Sequence, residues 1–261
     1  MARCKWIDAT IWVDGDVFNP NGIGDEADWR EKFAPLFERY AYGREIAPQT
    51  GKRHLQFRGV LKADLNNEIT LELNRLGFRN ITPTHVRDFD YVYKDQDFYC
   101  SWEIWRPEFD YVKKNWDPWM EQLQSMEDDR GRSIEIILDQ DGNHAKTAYA
   151  MLMSYEHRAV YCPPFDKGRD LINFVLQCRS SDWYILDMPR AFEFTQDWAC
   201  AVEQLKNGYV YDSRYSFKDK MLPRRPRVTL MVNELPEYEK YFSKDRVLPF
   251  KITPQGYLWS V

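Results

Sequence analysis

The sequence predicts an α+β domain, an antiparallel sheet with flanking helices, followed by an α/β domain on a parallel sheet. Three observations carry this. Before about residue 100, strand-like runs and helix-like segments come in mixed order. From Pro107 onward, apolar runs alternate with helical periodicity, the order of a parallel α/β sheet. Between these textures, near residues 99–108, the pattern breaks, with no internal repeat and no low-complexity segment. The expected divisions are 1–102, 103–131 and 132–261.

In chain order, residues 5–13 (KWIDATIWV) form the first predicted strand. Residues 28–40 place Phe33, Phe37 and Tyr40 at helical spacing and predict a helix. Residues 44–47 and 54–61 read as strands joined by the turn Pro48-Gln49-Thr50-Gly51. Residues 64–76 predict a helix with Asp64 as N-cap and Gly77 as stop. Residues 88–98 predict another. Residues 107–126 predict one helix with Phe109, Val112, Trp116 and Met120 on one side. Strands follow at 133–138 (SIEIIL), 159–162, 183–187 and 227–233 (RVTLMVN). The intervening helices are expected at 146–155 and 167–178, with one more before residue 227.

Composition narrows the class. The chain has 261 residues, 44% apolar and 16% aromatic, which is enough for a packed core. No apolar run reaches the roughly 18 residues of a membrane span. The opening MARCKWIDATIW has no apolar signal region. Five dispersed cysteines, an odd number without a CxxC, point to a reducing compartment. A net charge of -5 argues against a protein that coats DNA non-specifically, while leaving local basic patches open.

Two residue sets carry chemistry. On a strand, His54 and Gln56 project from one face, while Leu55 and Phe57 point into the core. Glu45, on the preceding strand, faces the same side if the two strands pair as a hairpin. One imidazole and two oxygen donors suit Mg2+ or Mn2+. On a helix, Tyr91 and Lys94 share a face. A tyrosine phenol has an ordinary pKa of about 10, so a nearby cation is needed to favour the phenolate. Attack on a phosphodiester then leaves a phosphotyrosine and a free 3′ hydroxyl. Tyr93 reads as a packing residue and is the rival nucleophile. His85 and His157 read as structural or surface residues.

The second set is a phosphate loop. Lys146 and Thr147 open a helix after an apolar strand, where a lysine reaches phosphates and a hydroxyl holds Mg2+. Gly142 and Asn143 lie in the loop before them, and Ala145 takes the place of the glycine before the lysine. Asp187 ends a strand, as a Mg2+-water ligand requires. Asn233 ends another, where it would sense a γ-phosphate. Arg246 is a candidate arginine finger supplied to a neighbouring subunit. The cluster Arg224-Arg225-Pro226-Arg227 reads as a phosphate contact, a nuclear signal or a solvated loop.

Both sets, in this order, resemble the replication-initiator (Rep) proteins of small circular single-stranded DNA viruses. GREIAPQTGKRHLQFRGVL (43–61) is similar to the second Rep motif with its upstream glutamate, YVYK (91–94) to the third, and ATIWV (9–13) to the first. The resemblance implies Glu45, His54 and Gln56 as metal ligands, Tyr91 as nucleophile, and Lys94 placing the metal or phosphate. In the family, HLQ is followed directly by glycine; here Phe57-Arg58 intervenes. The later half resembles the superfamily 3 helicase of Reps, most closely the nanovirus and alphasatellite type. It does so through DQDGNHAKT (139–147), ILDMPRA (185–191), VEQLKNGYVYDSRY (202–215), VTLMVNELP (228–236) and SKDR (243–246). Asp139 and Ala145 depart from that pattern. The resemblance implies Lys206 on a central loop touching single-stranded DNA, with Lys218 as a second candidate.

The expected protein is a rolling-circle initiator: an HUH-type nicking endonuclease (1–102), a helical oligomerisation linker (103–131) and a helicase/ATPase (132–261). Its implied cofactors are Mg2+ or Mn2+ and ATP. Its implied partners are single-stranded and stem-loop origin DNA, further copies in a ring (a hexamer by analogy) and host replication machinery, in the host nucleus and away from membranes. The alternatives are a plasmid initiator or relaxase with the same nuclease chemistry, an origin-binding protein with a decayed ATPase, and a generic phosphate-loop protein.

Overall fold

Strand alternation organises the first part of the chain. The computed structural model describes residues 4–16, 20–93, 97–126, 131–190, 192–212 and 218–261. The chain divides into two compact units between Ile104 and Trp105. The first holds β1 (Trp6–Trp12), α1 (Glu26–Phe33), β2 (Phe37–Ile46), β3 (Arg53–Leu61), α2 (Asn67–Arg75), β4 (Phe78–Pro83) and β5 (Phe98–Cys100). Its strands form one antiparallel sheet in the order β4-β1-β3-β2-β5. On β1, Ile7, Ala9 and Ile11 are buried on one face, with Leu55 and Phe57 of β3 beside them. Both helices contribute to this core, through Trp29 and Phe33 of α1 and Leu73 of α2. Phe33 is nearly edge-on to Phe57 at 5.9 Å and to Tyr40 at 5.8 Å.

Several boundaries differ from the sequence expectation. The helix expected at 28–40 ends at Phe33, and Phe37 and Tyr40 lie on β2. All three aromatics still reach one core, which is why their spacing mimicked a single helix. Asn66, not Asp64, caps α2, its side chain accepting from Ile69 N–H. The described residues of 88–98 hold no α-helix: Asp90–Tyr93 make one 3-10 turn and Phe98 opens β5. The Asp88 carboxylate accepts from Asp90 N–H, a local bond that competes with helix formation.

The second unit is a six-stranded sheet in the order β13-β12-β6-β11-β8-β7. Its strands are β6 (Ile134–Leu138), β7 (Val160–Cys162), β8 (Trp183–Asp187), β11 (Arg227–Val232), β12 (Val247–Ile252) and β13 (Leu258–Ser260). All neighbours are parallel except β12 and β13. Residues of β6 and β11 enter apolar clusters on both faces, Ile136 and Leu230 on one and Ile137 and Met231 on the other. A separate hairpin joins β9 (Tyr209–Asp212) to β10 (Lys218–Met221). The helices are α3 (Pro107–Lys114), α4 (Pro118–Ser125), α5 (Lys146–Tyr155), α6 (Gly168–Gln177) and α7 (Gln196–Lys206).

The single helix expected at 107–126 is two. Pro118 supplies no N–H, and Asp117 before it is extended at φ -75, ψ 147, so a new helix starts there. Phe109, Val112, Trp119, Met120 and Leu123 pack in the core of the second unit, so the segment expected to be a linker is part of that unit. The basic cluster at 224–227 is not a solvated loop throughout. Arg227 is buried, its Nε 2.8 Å from Glu135 Oε1, and Arg224 pairs with Asp182. Among the described residues no helix is long and apolar enough to cross a membrane.

Candidate functional site

Glu45, His54 and Gln56 lie on the face of the first sheet opposite its main core. Register sets this directly: β2 and β3 place Glu45 opposite His54 and Gly43 opposite Gln56. On the other flank of β3, β1 places Trp12 opposite His54 and Thr10 opposite Gln56. Glu45 Oε2 lies 3.5 Å from His54 Nε2, and both side chains are nearly buried, at 11% and 12% exposure. The Trp12 ring, 5.3 Å from the imidazole, covers one side. The Gln56 amide nitrogen donates to Ala9 O at 3.5 Å, leaving the carboxamide oxygen as the ligating end.

This set fits a divalent cation. The nitrogen that faces Glu45 is His54 Nε2; the other ring nitrogen, Nδ1, is buried without a hydrogen-bond partner among the described residues. The Glu45–His54 spacing suits two donors converging on one ion better than a direct hydrogen bond. Among the described residues no group of three His, Cys, Asp or Glu is assembled; a third donor on this face would be the Gln56 amide, beside His54 on β3.

Tyr91 stands on the 3-10 turn, 46% exposed. Gly43 makes room for that turn: a methyl added there would come within 2.4 Å of the Val92 carbonyl. The backbone beside Tyr91 therefore rests on the strand position paired with Gln56. Tyr93 takes the packing role. Its ring lies 4.6 Å from that of Phe98, and burial pushes its phenol well above the ordinary range. Lys94 lies outside the described residues. Tyr91 itself stands on a 3-10 turn and not on the expected α-helix.

In the second unit, Asp139–Ala145, Asp187 and Asn233 all lie at the carboxyl edge of the parallel strands, where open α/β sheets bind ligands. Thr147 Oγ1 donates to Asp187 Oδ2 at 2.7 Å. Lys146 Nζ lies 2.8 Å from Asp139 Oδ2 and 2.9 Å from Asn233 Oδ1. Gly142 N–H donates to Asp139 Oδ1 at 2.9 Å, and His144 Nδ1 lies 2.8 Å from the same oxygen. Three loop donors thus meet one buried carboxylate. Burial pushes the Asp139 carboxyl up, but the bonds from Lys146 and His144 outweigh it and hold the group below the usual range. Gly142, Asn143 and Ala145 all have positive φ (75°, 67° and 54°), a run that turns the loop back on itself and is costly at the alanine.

Three expected contacts need separate treatment. Lys206 is not on an exposed loop. It is fully buried at the end of α7, its ammonium donating to Pro226 O at 3.3 Å, which removes it from any DNA surface. Lys218 is exposed on β10, paired with Asp212 across the hairpin. Arg246 pairs with Glu203 at 3.3 Å and immediately precedes β12. Val247 aligns with Ile134 at the start of β6, while the phosphate loop follows its end. Five residues of strand, about 13 Å, therefore separate Arg246 from the loop edge of its own chain.

Sequence reasoning missed four participants. Asp139 neutralises the lysine, and His144 braces Asp139. Tyr161 O–H donates to Asp187 Oδ2 at 3.4 Å. The Arg190 guanidinium lies 3.2 Å from where a Gly142 methyl would stand. Asp139 carried a signal as a departure from the family pattern, and Arg190 one in the stretch Asp187-Met188-Pro189-Arg190. No protein-family model matches the chain, and no curated protein matches it in sequence.

Proposed function

We propose that the chain is a DNA-processing initiator of the rolling-circle kind, whose first unit nicks and rejoins single-stranded origin DNA through Tyr91. One observation carries this reading: Glu45, His54 and Gln56 share a sheet face with the turn that presents Tyr91. Glu45, His54 and Gln56 would hold Mg2+ or Mn2+, which would supply Lewis-acid polarisation of the scissile phosphate. Tyr91 Oη attacks phosphorus, the bond to the 3′ oxygen breaks, the phenol proton passes to solvent, and the leaving 3′ oxygen takes up a proton from solvent. The products are a 5′-phosphotyrosine and a free 3′ hydroxyl; reversal rejoins the strand. In the second unit, Lys146, Thr147, Asp187 and Asn233, with the backbone of Gly142 and Asn143, would hold Mg-ATP. Arg246, at the far edge of the sheet, would serve a neighbouring copy in a ring, and Lys218 would contact the strand. The partners on this reading are single-stranded and stem-loop DNA and further copies of the chain.

The test is incubation with Mn2+ and labelled stem-loop oligonucleotides. A covalent adduct, abolished by EDTA and absent in Tyr91→Phe, supports the nuclease; no adduct with DNA that demonstrably binds contradicts it. A second reading is favoured by the Asp139 contacts: an origin-binding nuclease whose ATPase is silent. ATP hydrolysis lost in Lys146→Ala opposes that reading.

A further inference from the structure

We propose that Arg58 is a positioning residue that holds the Tyr91 turn over the nuclease face. The inference rests on the nuclease reading above and assigns a role to one of the two residues that separate the HLQ triplet from its glycine.

Arg58 follows His54 and Gln56 on the same face of β3, and its side chain is only 5% exposed. Asp8 stands directly opposite on β1. Its carboxylate accepts from both Nε, at 2.6 Å, and Nη2, at 2.9 Å. That fork fixes the plane of the guanidinium. The remaining Nη1 donates to the backbone carbonyl of Asp88 at 2.9 Å, where the chain enters the turn. The Tyr91 ring centroid lies 5.9 Å from the guanidinium carbon. Phe89 and Val92 anchor the same turn by burial on the sheet face. The turn is thus pinned by two apolar side chains and one oriented cation, with the Tyr91 ring near the guanidinium. An ion pair serving stability alone would not need its third bond at the root of the nucleophile's turn. Lysine keeps the charge but cannot form the fork and reach Asp88 together.

The test compares wild type, Arg58→Lys, Arg58→Gln and Asp8→Asn as full chains. Hydrogen exchange is read at residues 88–93, Mn2+ affinity by calorimetry, oligonucleotide affinity by anisotropy, and adduct formation in single turnover. The expected result is faster exchange at 88–93 in all three variants. Adduct formation slows on the order of a hundredfold, with Mn2+ and oligonucleotide affinities unchanged. Adduct formation by Arg58→Lys at the wild-type rate overturns the proposal, as does loss of Mn2+ binding in step with the rate, which marks a general scaffold role. If the wild type forms no adduct, the nuclease reading fails and exchange decides alone; unchanged exchange at 88–93 then overturns the positioning role too.

Discussion

The Lys146 ammonium lies 2.8 Å from the Asp139 carboxylate, on which Gly142 N–H and His144 also converge. A carboxylate so placed satisfies the donors that a nucleotide phosphate would need, and its charge repels that phosphate. Asp139→Asn removes the charge and weakens the competing contact. A charge-assisted hydrogen bond contributes about 1.5–3 kcal/mol, so nucleotide affinity is predicted to tighten about tenfold or more. Titration with a fluorescent ATP analogue and Mg2+ checks this. Lys146→Ala is predicted to abolish binding in either background.

Glu45 and His54 face each other at 3.5 Å across one antiparallel pair. His54→Ala removes a nitrogen donor, and Glu45→Gln removes the carboxylate charge that attracts a cation. His54→Ala and Glu45→Gln are each predicted to weaken Mn2+ binding by at least about tenfold in calorimetry. Their melting temperatures should stay close to wild type, because the main core lies on the other face of the sheet.

Gly43 has a backbone carbonyl, that of Val92, where its side chain would be. Gly43→Ala must displace the Tyr91 turn or the strand. The predicted cost is about 1–3 kcal/mol in denaturant unfolding, with faster hydrogen exchange at residues 88–93. Gly51→Ala, at a turn with open space around it but a φ of +67°, is predicted to leave exchange at 88–93 unchanged.

Glu26 gives the first unit a pH dependence. Its carboxylate accepts from Arg44 Nε and Nη2 and from Tyr42 O–H, each at 2.8 Å. Hydrogen bonding from Arg44, against desolvation, lowers its pKa from 4.5 to about 2. A carboxyl whose folded pKa is depressed stabilises the fold above its unfolded pKa and loses that contribution as pH falls through the folded value. Stability of the first unit is therefore predicted to decline between about pH 4.5 and pH 2. Glu26→Gln should flatten the decline, as followed by thermal melts across this range.

The legible parts of the chain were those where one pattern dominated. Trp183–Asp187 and Lys146–Tyr155 have the bounds that their apolar content and periodicity suggested. His54 and Gln56 share a face because strand alternation allows nothing else. The β5 edge was not legible because Phe98 closes the run read as a helix, and β12 and β13, which follow the last expected strand, were not anticipated. The Tyr91 turn was read as helix because Phe89, Val92 and Tyr93 are spaced for one, while Asp88 diverts the first N–H. The family resemblance places Lys206 on DNA. In the fold it is buried and its ammonium reaches Pro226 O, twenty residues away, a contact that no local pattern encodes. Asp139 and Arg58 stand out in the sequence only as departures from the family pattern; their contacts were not legible, because each acts through partners brought close by loop or sheet geometry.

The most direct measurement is mass mapping of the covalent adduct. The protein is reacted with Mn2+ and a cleavable origin stem-loop, digested with nuclease and protease, and the nucleotide-bearing peptide is sequenced. The account predicts the added nucleotide mass on Tyr91. The same mass on Tyr93 or on any other residue, or its absence with both metal and DNA bound, would contradict it.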